Sequence, residues 1–189
     1  MAVDPLERDR ARLLELLRTL SFERRKVVLS SGKESDFYID CKKVALSAEG
    51  HWLIGRLLLG AIRARCPQAE GVGGLTLGAD PLASAVSLTS YLWGCPMPAF
   101  IVRKEPKGHG TAAWLEGREL FEAGAEGAVV EDVVTTGAAA LKAVERARAE
   151  GLGARHAFAL VDRLEGGREA IEAQGCTLDA LFTRKDFIP

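Results

Sequence analysis

One stretch constrains this chain more than any other: Ala128-Val-Val-Glu-Asp-Val-Val-Thr-Thr-Gly137, leading into Ala138-Ala-Ala-Leu-Lys-Ala-Val-Glu145. An apolar run ends on two adjacent carboxylates, Glu131 and Asp132. A hydroxyl-rich turn follows, and a helical pattern begins after Gly137. In an α/β chain this predicts a buried parallel strand, a loop at its carboxyl end, and a helix. Ligands of such sheets sit beyond the carboxyl ends of the strands. The unpaired amides that open a helix can hold a phosphate. Two acids at the strand end can accept hydrogen bonds from vicinal hydroxyls. The stretch therefore points to a sugar-phosphate site.

The rest of the chain supplies the sheet that such a site requires. Pro5 and Glu7 mark a helix start with Asp4 as its cap, and Leu6, Leu13, Leu14, Leu17 and Leu20 give it an apolar face. Val27–Leu29 and Ser35–Asp40 predict two strands of a hairpin around Ser30–Lys33, outside the main sheet. Ser47 predicts the cap of a helix reaching about Arg65, with Trp52, Leu53, Leu57, Leu58 and Ile62 turned inward. A strand from Gly71 runs into a glycine-rich loop, and Asp80-Pro81 opens a helix to about Leu92. Ala99–Val102, Arg155–Val161 and Leu178–Phe182 predict further strands, with a short helix at about Arg168–Gln174. Alternating strands and helices imply an α/β fold: a mainly parallel, twisted sheet flanked by helices. At 189 residues the chain is expected to form one domain, 1–189, with residues 1–45 as a cap or hood.

A net charge of −1 argues against a general nucleic-acid binder, which is usually basic. Cys41, Cys66, Cys95 and Cys176 lack metal-ligand spacing, and His51, His109 and His156 are dispersed. Reduced thiols, a charged early sequence unlike a signal peptide, and no uncharged run of about 18 residues lead to a cytoplasmic expectation.

Three further segments carry chemistry. Gly71–Gly78 lets a backbone approach a ligand closely, although it is neither a P-loop nor a dinucleotide fingerprint. Arg103-Lys-Glu-Pro-Lys-Gly-His-Gly110 places four potential cations, Arg103, Lys104, Lys107 and His109, within seven positions, suited to a polyanion. A solvated charged hairpin is the plainer alternative. Asp162-Arg163 ends an apolar strand, where Arg163 either binds an anionic substrate or pairs structurally, with Asp162 for example.

Together these segments resemble the type I phosphoribosyltransferases. Val129–Gly137 resembles the phosphoribosyl-pyrophosphate (PRPP) signature of that family. Leu29-Ser-Ser-Gly32 with Ser35–Asp40, Arg103–Gly110, and Leu160-Val-Asp-Arg-Leu-Glu-Gly-Gly167 resemble the hood, catalytic loop and late substrate motif of its orotate-using branch, in family order. The resemblance implies a type I phosphoribosyltransferase fold and transfer of phosphoribose from PRPP to N1 of orotate, in pyrimidine biosynthesis. It implies that Glu131 and Asp132 bind ribose hydroxyls. Val133, Val134, Thr135, Thr136, Gly137, Ala138 and Ala139 would hold the 5-phosphate. Arg103, Lys104, Lys107 and His109 would contact the pyrophosphate, with Lys107, His109 and Asp132 as the catalytic set. Thr135 and Arg163 would contact orotate under a hood around Tyr38 and Ile39. A homodimer is implied, with Lys104 reaching the neighbouring site, and Mg²⁺ carried mainly by the substrate without direct protein ligands.

Three positions depart from the family pattern. Ser30 and Leu77 stand where many members carry a basic residue, and Ala138-Ala-Ala140 where relatives often place Ser or Thr. A purine-specific transferase would share the phosphate loop and acidic pair, but the hood motif and Asp162-Arg163 favour an anionic pyrimidine. A ligand-sensing, nucleic-acid-binding regulator of the same fold would need a basic face.

Overall fold

The structure, a computed structural model, describes residues 5–25, 27–28, 34–106 and 113–188. Asp4 and the segments 29–33 and 107–112 lie outside the described residues, and with them the expected turn at Ser30, Lys107 and His109.

The chain opens with α1 (Pro5–Leu16), which passes into a π-helical turn at Leu17–Ser21. A wider turn advances the residues less per step around the axis. Leu13 and Leu17 are buried as expected and Leu16 joins them, but Leu20 rotates out to solvent and Ser21 takes the buried place. Four two-residue strands follow: β1 (Phe22–Glu23), β2 (Val27–Val28), β3 (Glu34–Ser35) and β4 (Tyr38–Ile39). β2 pairs with β3 as the expected hairpin, whereas β4 pairs antiparallel with β1. The predicted single strand Ser35–Asp40 is thus broken in two. Phe37, at the break, is fully buried against Phe22 and Phe187 at ring-centroid distances of 5.0 and 5.6 Å. An aromatic anchor of that size outweighs the pairing lost by interrupting a short edge ribbon.

The short helix α2 (Lys42–Ala45) leads to α3 (Ala48–Arg65), whose cap is Ser47: its Oγ accepts from the Gly50 amide at 3.1 Å. Such a cap contributes about 1 kcal/mol. Leu53, Leu57, Leu58 and Ile62 point inward, but Trp52 is 53% exposed, where its ring stacks with Arg56.

The main sheet comprises β5 (Gly71–Leu75), β6 (Ala99–Val102), β7 (Leu115–Glu116), β8 (Glu126–Val134), β9 (Gly153–Asp162) and β10 (Thr177–Thr183). Its order is β10-β9-β8-β5-β6-β7, parallel except for the antiparallel edge strand β7. α4 (Asp80–Leu92), α5 (Ala138–Ala149) and α6 (Gly167–Glu172) complete the layers. Alternate residues of β8 separate the two cores: Ala128 and Val130 join α1, α3 and α4, while Val129 and Val134 join α5 and α6. Among the described residues no helix is long and apolar enough to cross a membrane.

Strand order reverses between β5 and β8. The crevice outside the carboxyl ends of those two strands is the place where such sheets take ligands.

Candidate active site

β8 delivers the two carboxylates to this crevice, and they are not equivalent. Glu131 is buried and lines a pocket of about 210 Å³ whose other walls are Val133 to Ala140. Burial, followed by the neighbouring charge of Asp132, pushes its carboxyl up to about 9. Its Oε2 is buried without a hydrogen-bond partner among the described residues. A buried oxygen left in that state costs free energy until a ligand supplies a partner. Asp132 lies at the rim. Its Oδ1 accepts from the Val133 amide at 2.8 Å, and its Oδ2 faces Lys42 Nζ at 3.8 Å. Lys42 also reaches Asp40 Oδ1 at 3.0 Å.

The loop between β8 and α5 is shaped by Gly137, which adopts a left-handed φ of 79°. A Cβ there would stand 2.8 Å from the Gly167 carbonyl oxygen at the start of α6. Both constraints require glycine. The turn brings Thr135, Thr136, Gly137, Ala138 and Ala139 around one pocket with Glu131, at the start of a twelve-residue helix. Unpaired amides at such a start suit a phosphate. From the other side, the loop after β5 closes on Asp132: a Cβ on Gly78 would lie 2.7 Å from Asp132 Oδ1. The Thr76–Leu77 peptide in this loop is cis. Leu77 itself is 69% exposed and borders a second, more apolar pocket with Lys42, Leu46, His51, Asp80, Pro81 and Ser84.

β9 ends beside β8, with Asp162 in register with Val134, so the Arg163 amide donates to the Val134 carbonyl at 2.9 Å. The Arg163 side chain is buried. Its Nη2 donates to the Phe37 carbonyl at 3.0 Å and pairs with Glu165 Oε1 at 3.0 Å. Asp162 instead accepts from the Leu164 amide at 2.8 Å and from Arg168 Nη2 at 3.3 Å. The Asp162–Arg163 pairing open to the sequence is therefore not the one that forms. Tyr38 stacks with Arg25 at 4.0 Å, and Ile39 packs on the main core.

Of the four cations in the basic segment, Arg103 and Lys104 are described. Arg103 Nη1 pairs with Glu116 Oε1, on β7, at 2.7 Å. Lys104 is exposed, and its charge offsets part of the upward push on Glu131. Neither Arg103 nor Lys104 lines the pocket at Glu131.

Sequence spacing gave no sign of one cluster. At the opposite end of the sheet, ligand atoms of Cys66, Glu126 and His156 lie within 4.8 Å of one another. Local partners account for this grouping: Arg155 holds Glu126 at 2.9 Å, and Thr177 holds His156 at 3.0 Å.

No protein-family model matches the chain. It is 54% identical over 181 residues to the orotate phosphoribosyltransferase of Sorangium cellulosum, covering 96% of this chain and 94% of that protein. It superposes with a TM-score of 0.81 on the Mycobacterium tuberculosis orotate phosphoribosyltransferase in complex with Fe(III) dicitrate, at 41% identity, covering 96% of this chain and 99% of that one. The same enzyme in complex with PRPP matches with a TM-score of 0.76 at 39% identity, covering 95% and 98%.

Proposed function

Because the chain belongs to the orotate phosphoribosyltransferases, transferring phosphoribose from PRPP to orotate and releasing pyrophosphate, we propose that the β5–β8 crevice is where it does so. The observation that carries this reading is the buried, partnerless Oε2 of Glu131, set in a wall of helix-opening amides. A phosphate on the amides of 135–139 directs ribose hydroxyls towards Glu131 and Asp132. The diphosphate then extends towards Lys42 and the basic segment of Arg103, Lys104, Lys107 and His109.

As the anomeric carbon parts from pyrophosphate, negative charge grows on the leaving group, and cations already in place stabilise that state over the ground state. The rim carboxylate of Asp132 is a hard donor that suits ribose hydroxyls and a hydrated Mg²⁺ alike, while the unpartnered carboxyl oxygen of Glu131 suits a ribose hydroxyl. Mg²⁺ held on the substrate oxygens would supply further neutralising charge. Thr135 and Arg163 flank the place for orotate, under a hood that the segment 1–45 contributes to a single domain 1–189.

The same reading includes a homodimer, in which the exposed Lys104 extends to the neighbouring site. Trp52, Tyr91, Leu92 and Trp93 expose large apolar surfaces on α3 and at the end of α4, which supports association. It also includes a cytoplasmic location, supported by four free thiols.

Pyrophosphate release tests the reading, with orotate, adenine and hypoxanthine as acceptors, with and without Mg²⁺. Orotate-dependent, Mg²⁺-stimulated release is expected. Turnover of a purine base in place of orotate would overturn it.

A further inference from the structure

One side chain outside the pocket gathers the whole base of the basic segment. Arg146, in the last turn of α5, donates through Nη1 to the Arg103 carbonyl and through Nη2 to the Lys104 carbonyl, the latter at 3.1 Å. Its guanidinium lies 3.8 Å from the centre of the Trp114 ring, on the returning side of the same segment. Glu150, four residues on, accepts from the Trp114 amide at 2.9 Å. The two sides are themselves joined, because the Arg103 amide donates to the Trp114 carbonyl at 2.9 Å.

A planar guanidinium is suited to this task. Its fork serves two carbonyls in one plane while its face stacks on an indole, which an ammonium cannot do. The carbonyls it holds belong to the two described cations of the segment. Fixing those peptide groups fixes where the Arg103 and Lys104 side chains depart from the main chain.

The other end of α5 builds the phosphate pocket, from Gly137 to Ala140. Eight residues of helix separate Ala138 from Arg146, a rise of about 12 Å at 1.5 Å per residue. The helix is continuous between them. From this geometry we infer that Arg146 is a positioning residue for diphosphate recognition: α5 acts as a ruler that sets Arg103 at a fixed span from the phosphate cradle of its own chain, and the same guanidinium fixes where Lys104 leaves the main chain towards the neighbouring site. The inference rests on the placement of the PRPP site proposed above. It concerns a residue that touches no substrate.

Two probes separate the ends of the ruler. Ribose 5-phosphate occupies the cradle and the acidic pair, while inorganic pyrophosphate with Mg²⁺ occupies the cationic end. For Arg146→Ala, calorimetric titration is expected to show pyrophosphate affinity falling by about tenfold, the scale of two lost hydrogen bonds. Ribose 5-phosphate affinity should stay within about twofold of wild type, since no contact to it changes. Arg146→Lys, which can serve one carbonyl at a time, should fall between. The Michaelis constant for PRPP should follow the pyrophosphate result, and that for orotate should not.

Equal weakening of both probes would reduce Arg146 to a general support of α5, and unchanged pyrophosphate binding would remove its role; either overturns the inference. If Arg146→Ala does not fold, Arg146→Lys decides by the same two ratios. A wild-type protein that binds both probes but leaves orotate unreacted would instead overturn the assigned reaction, a distinguishable failure.

Discussion

Arg163 Nη2 donates to the main-chain carbonyl of Phe37 at 3.0 Å, joining residues 126 apart in sequence. One buried guanidinium thus ties the end of β9 to the buried aromatic of the N-terminal segment. If Arg163 binds orotate as proposed, the base and the N-terminal segment share that one side chain.

Arg163→Lys should therefore act on the base and spare the sugar phosphate. Charged hydrogen bonds contribute about 1.5–3 kcal/mol, so the Michaelis constant for orotate should rise by about tenfold or more. That for PRPP should stay within about twofold. Steady-state kinetics with each substrate varied in turn check this, and a parallel rise in both constants would show a structural role only.

Glu131 sets a pH dependence whose sign is fixed by its burial. Its carboxyl is raised from 4.5 to about 9 in the fold, so between those values the folded chain binds more protons than the unfolded chain. Stability contributed by the protonated form is then lost progressively as pH rises through this window. Urea unfolding midpoints of the ligand-free protein should fall from pH 5 to pH 9, and those of Glu131→Gln should fall less steeply. An identical slope in the variant would contradict the assignment.

Gly137→Ala faces two penalties, a left-handed φ of 79° and a contact of 2.8 Å with the Gly167 carbonyl oxygen. A loss of about 1–3 kcal/mol is expected, as for other strained backbone positions. Denaturant titration would read it, and weaker ribose 5-phosphate binding should accompany it. A variant as stable as wild type would mean that α6 yields freely.

Lys107→Ala should lower kcat by about 10²-fold or more with saturating substrates, the scale of removing one preorganised donor. A near-wild-type rate would free the basic segment from the chemistry.

The elements that position the site were legible in the sequence wherever local pattern and burial agreed. The apolar run of β8, the Ser47 cap and the Asp80-Pro81 helix start all appear at the expected places. Pattern failed where tertiary packing outweighed it. Phe37 broke a strand by entering the core, and a π-helical turn moved Leu20 into solvent. β7 is two residues long and carries no periodicity to read. Within the site, the residue types of 131–139 pointed to a ribose-phosphate cradle, and the structure gathers Glu131 and residues 133–139 around one pocket. The asymmetry between Glu131 and Asp132 depends on depth, which adjacent letters do not encode. Arg146 gave no signal either, because a charged residue late in a helix reads as solvated surface until its partners 42 and 43 positions away come into view.

The exposed Leu77 has a practical consequence. It stands at the mouth of a pocket of about 420 Å³ that also contains Lys42, within reach of Asp132. Covering hydrocarbon there returns about 25 cal/mol for each Å² removed from water. A diphosphate mimic carrying a small aliphatic arm would gain affinity at this rim, and would forfeit that gain wherever a relative presents a charged side chain instead. An exposed leucine at this rim thus offers inhibitor chemistry a means of telling this enzyme from any relative with a cation there.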